Sequence, residues 1–344
     1  MRAAVLERAG EPLRLEDLEI EEPRAGEVAV RLTASGVCHS DLHVRDADWV
    51  RPGPLVLGHE GAGVVERLGS GVTGLAIGQQ VALSWYYPCL HCRNCQLGRQ
   101  WACSESGSLR HRLPDGTTRL HRKDGTDVMA YLTIGTFAER AVVPAAAAIP
   151  IADTVPAEVP AGASVAVFGL GGVGLSVVMG AAIAGAGRIV VVDRTAEKLD
   201  LARDLGATDC VMATDPETTV EAVRSAARHG GPDFAFEAIG LPATIEQSIA
   251  VLPPTGTAVL VGLTPFGARA SFEVFPFVDG SRRILGSNYG FAVAAVDFPR
   301  YAGLFMDGRL PIDRLVDRRI ALDEVEGAFE RMRSGEGVRS VIAF

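Results

Sequence analysis

Four cysteines, Cys89, Cys92, Cys95 and Cys103, stand in the pattern C-x2-C-x2-C-x7-C. Four thiolates this close in sequence can close a tetrahedral shell around one Zn²⁺ with no open position, which is the chemistry of a structural site. An iron–sulfur cluster uses the same ligands, but no Pro follows the last Cys and nothing else in the chain points to electron transfer. A second constellation is Cys38-His39-Ser40-Asp41-Leu42-His43 together with Gly58-His59-Glu60. A Cys and a His on turns after strands can form part of a catalytic zinc site, which needs three protein ligands and one open position. Singly, Cys38 or His59 is more often a satisfied core residue; with Ser40, Asp41 and His43 beside them the functional reading prevails.

The third constellation is Gly169-Leu170-Gly171-Gly172-Val173-Gly174, between an apolar run and a helical stretch. The first Gly allows a tight turn, the second lets backbone approach a pyrophosphate, and the third lets helix pack on strand. The helix N-terminus adds free N–H groups and partial positive charge for that anion. Asp193 ends the next apolar run, where a carboxylate can accept hydrogen bonds from a ribose diol. Its charge would repel a 2′-phosphate, so NAD is expected over NADP, although Arg194 next door is of a type that accommodates the phosphate.

These residues need scaffolding of two kinds. The first part of the chain reads as β-rich. Residues 27–33 alternate apolar and polar, and 61–65 and 78–83 are short runs bounded by turn residues, as in a barrel-like β domain. The polar stretch from Ser104 to Asp127, with two Gly-containing turns, reads as a long surface excursion. After Pro160 the texture changes. A buried strand at 165–168, a helix to Ala184, a strand at 188–193, a helix at 196–205 and strands near 233–237 and 257–262 predict a doubly wound α/β domain. From about Phe291 the pattern loosens into helices and a final strand at 340–344.

Composition agrees with this division. The chain has 344 residues, 48% hydrophobic and 22% charged, with 39 glycines and a net charge of −9. Such a balance suits a globular two-domain protein and argues against nucleic acid or an anionic membrane as partner, which also disfavours a nucleic-acid zinc module. The N-terminal residues lack the apolar core of a signal peptide. The uncharged stretch from Val165 to Gly187 is broken by glycines that a nucleotide turn explains better than a membrane span does. Clustered cysteines without a secretory signal point to metal binding in a reducing cytoplasm rather than to disulfides.

Over nearly its whole length the chain resembles the zinc-dependent alcohol dehydrogenases of the medium-chain dehydrogenase/reductase family. The matching segments are GVCHSD (36–41), GHEGAGVVERLGSGV (58–72), the four-Cys lobe (about 86–104), VFGLGGVGLS (167–176) and the C-terminal GEGVRSVIAF. The resemblance implies an α/β protein with a GroES-like catalytic domain (1–155, completed by 291–344) split around a Rossmann domain (156–290), with the active site in the cleft. It further implies that Cys38 and His59 ligate the catalytic zinc and that Ser40 and His43 relay the substrate proton. Asp41 would orient the ligating His. His39 and Arg339 would contact the coenzyme pyrophosphate, and Asp193 and Lys198 its adenosine ribose. A small alcohol or aldehyde is the implied substrate, and a homodimer or homotetramer the implied assembly.

One departure stands out. The family carries a third zinc ligand, a Cys, on a helix before the first Rossmann strand. Here the interval from Ile149 to Ala163 holds no Cys and has no room for that helix, as though about 20 residues were deleted, judged from usual helix length. The remaining cysteine, Cys210, matches no ligand position. Glu60 is the nearest candidate to complete the shell, followed by Asp153 and Glu158; a supporting carboxylate and two solvated loop charges are their ordinary readings. An active NAD-dependent alcohol dehydrogenase is therefore expected. The alternatives are an NAD-binding relative with structural zinc but impaired catalysis, and a zinc-free reductase, which would leave six metal-type ligands without a purpose.

Overall fold

The computed structural model describes residues 1–106, 110–150, 162–227 and 229–344. Asp153 and Glu158 fall outside these residues, as does most of the shortened interval around them. The chain divides into two compact units, one of Met1–Thr154, Phe291–Gly303 and Val316–Phe344, the other of Val155–Gly290 and Leu304–Leu315.

The first unit is β-rich, with two sheets of six and seven strands among the described residues. Its hub is the strand Glu27–Gly36, which pairs antiparallel with Glu60–Leu68, Arg140–Pro144 and the C-terminal Arg339–Ala343. This centrality modifies the simple alternation read from the sequence. Val28, Ala29 and Val30 are all buried, and polar residues reach the surface only at Arg31 and Thr33. A strand covered on both faces loses its two-residue period because there is no wet side to place polar residues on. The register sets Gly36 opposite both Glu60 and Val341. A Cβ on Gly36 would meet the Glu60 carboxylate at 2.2 Å, so the strand end is shaped around that side chain.

The expected surface excursion between Ser104 and Asp127 is corrected. Leu113, Thr118, Arg119 and Leu120 are buried, and Leu120–His121 pairs with Asp127–Ala130 as a small hairpin. The glycines at 116 and 125 (φ +80° and +85°) turn the chain back on itself rather than leading it outward. Arg119 explains why a polar stretch can be interior. Its Nε and Nη2 donate to the two Glu27 carboxylate oxygens at 3.0 and 2.6 Å, and Nη2 also donates to Asp115 at 2.7 Å. Every charge is paired, which is the condition for burying one.

The second unit is an α/β layer structure, in agreement with the fold class expected. Six parallel strands stand in the order 3-2-1-4-5-6, counted from Ser164–Phe168 as the first. This is the doubly wound order whose switch point lies beside strand 1. The strands Ser164–Phe168 and Arg188–Asp193 lie close to where the apolar runs put them, and the helix Gly172–Ile183 follows the glycine turn. Two further strands, Asp209–Met212 and Arg283–Gly286, and the helices Pro216–Ala226 and Pro242–Ala250 complete the layers. The first of these helices carries a readable start signal, Asp215-Pro216. The Asp215 side chain accepts the Thr218 N–H at 3.0 Å, and Pro takes a first-turn position whose N–H needs no partner. No helix among the described residues is long and apolar enough to cross a membrane.

Candidate metal centres and coenzyme site

In the first unit, Cys89, Cys92, Cys95 and Cys103 converge until their sulfurs lie within 4.8 Å of one another. Cys89–Cys95 and Cys92–Cys103 are each 4.0 Å apart. Four sulfurs at 2.3 Å from a common centre are separated by nearly this distance, so the cluster fits a zinc ion without rearrangement. Backbone N–H groups prepare the thiolates: Cys92 donates to Cys89 Sγ at 3.2 Å, and Cys89 to Cys103 Sγ at 3.3 Å. Amide donors, that of Cys95 foremost, draw the Cys92 thiol down to about 5. Burial pushes the Cys95 and Cys103 thiols up. Four such sulfurs resist ionising together unless a cation sits among them.

The second centre is assembled from distant parts of the same unit. Cys38 follows the hub strand and caps the helix His39–Arg45; His59 precedes the strand Glu60–Leu68. Cys38, His59 and Glu60 each offer a ligand atom within 4.8 Å of the other two. Asp41, fully buried, organises them: it accepts the Cys38 N–H at 3.2 Å and the Gly58 N–H at 2.9 Å. Its Oδ1 also lies 3.1 Å from His59 Nδ1. That contact places the imidazole proton on Nδ1 and turns Nε2 toward the cluster, the arrangement of a metal-ligating His. Burial alone would depress the proton affinity of His59; the Asp41 carboxylate outweighs it and raises the pKa well above the usual imidazole value. Gly58 enables the approach. It holds φ +87°, and a Cβ there would meet Phe137 at 2.4 Å.

Glu60 and Arg339 form the far side. Arg339 Nη1 donates to both Glu60 oxygens, at 2.9 and 2.7 Å. Burial would raise the Glu60 pKa, but the Arg339 charge lowers it, so the carboxylate stays ionised. Arg339, expected on a pyrophosphate, thus has its guanidinium on a carboxylate of this cluster. Nothing in the sequence spacing signals the pair; only the strand register brings 339 to 60. Ser40 Oγ lies 3.6 Å from Cys38 Sγ, and His43 Nδ1 lies 2.7 Å from Asp48 Oδ2. His39 is exposed on the first turn of the helix.

Two residues beside His59 escaped the sequence reading. The Tyr131 ring stands edge-on to the His59 imidazole at 5.6 Å, and His111 lies 5.5 Å beyond it. His111, Leu132 and Thr133 all hold positive φ (58°, 49° and 71°), a concentration of backbone strain typical of functional walls. His111 Nδ1 accepts the Leu132 N–H at 3.1 Å. Burial, helped by the Arg51 charge, lowers the His111 pKa to about 4.

In the second unit each motif glycine meets the demand made of it. Gly169 has φ +90°, and a Cβ there would strike Ile239; a Cβ on Gly174 would lie 1.8 Å from the Gly169 carbonyl oxygen. Around Gly171 there is open space, as a backbone that must admit a pyrophosphate requires. Val173 is exposed at the helix start. Asp193 accepts the Leu170 N–H through Oδ2 at 2.8 Å and the Thr195 N–H through Oδ1 at 3.0 Å. Lys198 lies half-buried in the first turn of the helix Ala196–Asp204. Cys210 also lies in this unit, 3.5 Å from the Leu199 carbonyl, and joins neither cluster.

Comparison with known proteins agrees with this architecture. Residues 24–153 match the alcohol dehydrogenase GroES-like domain, and residues 172–305 the zinc-binding dehydrogenase domain. The NDMA-dependent alcohol dehydrogenase of Amycolatopsis methanolica is 35% identical over 99% of this chain and 98% of its own length. That alignment runs over 371 positions against a chain of 344 residues, so the relative has residues that this chain lacks. An alcohol dehydrogenase zinc-binding domain protein from Burkholderia ambifaria superposes with a TM-score of 0.92 at 36% identity, covering 100% of this chain and 98% of that one. Benzyl alcohol dehydrogenase from Acinetobacter calcoaceticus superposes with a TM-score of 0.88 at 31% identity, covering 100% and 99%. With both domains matched and both metal-type clusters formed, the chain belongs to the zinc-binding alcohol dehydrogenases of the medium-chain dehydrogenase/reductase family.

Proposed function

We propose that the protein catalyses reversible, zinc-dependent oxidation of an alcohol to an aldehyde or ketone, with NAD as the hydride acceptor. The observation that carries this reading is the convergence of Cys38, His59 and Glu60 around a His whose Nδ1 is fixed by Asp41. Zinc bound there supplies the Lewis acidity that lowers the pKa of a substrate hydroxyl. Glu60 is the third ligand in place of the missing Cys, held ionised and oriented by Arg339. Ser40 takes up the alcohol proton and His43, three residues on along the same helix face, passes it to solvent. Asp48 on Nδ1 of His43 leaves Nε2 as the exchanging nitrogen. The glycine turn and Asp193 suit a nicotinamide dinucleotide, which supplies the hydride acceptor when bound. The Asp193 carboxylate supports NAD over its 2′-phosphorylated form, with Lys198 reaching the same ribose and His39 a pyrophosphate oxygen.

A second reading, a coenzyme-binding relative with one structural zinc and impaired turnover, is favoured by the missing third thiolate. Metal analysis joined to a substrate panel separates the two. Two zinc ions per chain, with coenzyme reduction by benzyl alcohol or another primary alcohol and a higher kcat/KM with NAD than with NADP, is the expected result. One tightly held zinc and no reduction of either coenzyme across the panel would establish the second reading instead.

A further inference from the structure

Glu237 ends the fourth strand of the parallel sheet, Phe234–Glu237, which lies between the first strand and the fifth. The residue is fully buried, and among the described residues no cation pairs with it. A buried carboxylate without a counter-charge costs stability, so what it holds has to account for its place. One oxygen does the holding. Oε1 accepts the Ile239 N–H at 3.0 Å, the Gly240 N–H at 2.9 Å and the Thr244 hydroxyl at 2.7 Å. Oε2 is buried with no hydrogen-bond partner among the described residues, and a Cβ on Gly262 would stand 2.6 Å from it. The Glu237 carbonyl accepts the Val261 and Gly262 N–H groups, each at 2.9 Å. A single residue thus ties together the loop after strand four, the start of the helix Pro242–Ala250 and the bend after strand five.

The loop so held is wedged in place on both sides. The Ala238 N–H donates to the Phe168 carbonyl at 2.9 Å, and Ile239 fills the space beside Gly169, where a Cβ would lie 2.3 Å from its Cγ1. Gly240, at φ +85°, is pressed on Leu263, whose carbonyl oxygen a Cβ would meet at 2.3 Å. Yet Ile239, Leu241 and Leu263 keep their side chains exposed. Three large apolar side chains at the carboxyl ends of strands four and five, rooted on a buried carboxylate, make a fixed surface. Ligands of doubly wound sheets bind outside those strand ends, across the switch point beside strand one. Asp193 ends strand two, so the adenosine half of a dinucleotide falls on that side and the nicotinamide half over strands four and five. The glycine turn has its own supports, the Gly169 N–H on the Val192 carbonyl at 2.9 Å and the Leu170 N–H on Asp193.

We propose that Glu237 is a positioning residue for the nicotinamide half of the coenzyme. By fixing the loop from Ile239 to Leu241, it presents a preformed apolar platform to that half, while the adenosine half is held independently of it. This rests on the coenzyme reading of the glycine turn and Asp193. A platform ordered before binding spares the bound state the cost of ordering it, and each hydrogen bond that does so is worth about 3- to 10-fold in affinity.

The test compares calorimetric binding of NADH with that of ADP-ribose, which shares the adenosine half and the pyrophosphate but lacks the nicotinamide. Glu237→Ala should weaken NADH by about 10-fold or more while changing ADP-ribose by less than about 2-fold. Glu237→Gln keeps an acceptor oxygen for the loop and should recover most of the NADH affinity. Thr244→Val removes one of the three donors from a half-buried position and should weaken NADH alone by about 3-fold. It carries the same test if Glu237→Ala does not fold. Equal weakening of both ligands in these variants, or unchanged NADH binding, overturns the proposal, since a merely structural brace moves both or neither. If the unaltered protein binds neither ligand, the coenzyme reading itself falls and the proposal falls with it.

Discussion

The two metal-type clusters of the first unit are built on opposite principles. Cys89, Cys92, Cys95 and Cys103 come from one short lobe, and each thiol's environment is set by amides and sulfurs of that same lobe. Cys38, His59 and Glu60 come from the end of one strand and the beginning of another, and what joins them is supplied from outside. Asp41 ties the Cys38 turn to the His59 turn, and Arg339 arrives on the last strand to hold Glu60. A closed shell of four like ligands needs only its loop. A shell that must keep a position open, and hold unlike ligands, needs the fold around it.

That contrast can be broken at several points. Cys95→Ser should have the largest effect: loss of the lobe zinc, poor soluble yield and a fall in Tm on the order of 10 °C. Structural zinc is worth roughly 10–16 kcal/mol in small peptides, and packing offsets part of that in a unit this size. If this variant stays folded and keeps its metal, the lobe is not a zinc site. Cys38→Ala should instead leave melting and circular dichroism close to the unaltered protein while lowering kcat/KM by about 1000-fold or more. Failure of that variant to fold would reverse which centre is structural. Asp41→Asn should weaken zinc at the second centre by about 10- to 100-fold in chelator competition without affecting retention by the lobe. Equal loss from both would mean that Asp41 supports the unit as a whole.

The smallest effect concerns acid. His111 is held neutral in the fold with a pKa of about 4, depressed chiefly by burial and then by the Arg51 charge. In the unfolded chain it takes up a proton near 6.5. The folded state therefore binds fewer protons, and the stability tied to His111 is complete above about 6.5 and lost as pH falls toward 4, by roughly 3 kcal/mol at most. Urea unfolding from pH 7 to 4 should show a shallower decline in His111→Gln. Parallel declines would show that His111 is not what makes the wall of the distributed centre acid-sensitive.

Local chemistry was the most readable part of the chain. The four-Cys spacing, the glycine turn with Asp193, and the apolar runs of the parallel sheet each sit in a single stretch, and each is found close to where its pattern put it. What escaped depended on distant segments meeting. Arg119 reads as a surface residue because its partner Glu27 is far away in sequence. Arg339 and Glu60 become neighbours only through the hub strand, whose Gly36 lies opposite Glu60 on one side and Val341, two residues from Arg339, on the other. Tyr131 and His111 reach His59 through turns of positive φ made without glycine, so no turn residue marked them. The carboxylate of Glu60 was legible as a candidate from adjacency to His59; the cation that keeps it charged was not.

The hydrogen bond from the Leu170 amide to Asp193 has an implication for redesign. One carboxylate braces the bend ahead of the helix and, in the proposed coenzyme role, would also greet the adenosine sugar, so the two tasks would share an atom group. Exchanging it for a small neutral residue to welcome a phosphorylated dinucleotide would relax the bend at the same moment. Were NAD the coenzyme, as proposed, switching it in this scaffold would call for a replacement acceptor at position 193, such as Asn, together with a new cation, rather than for removal of a charge alone.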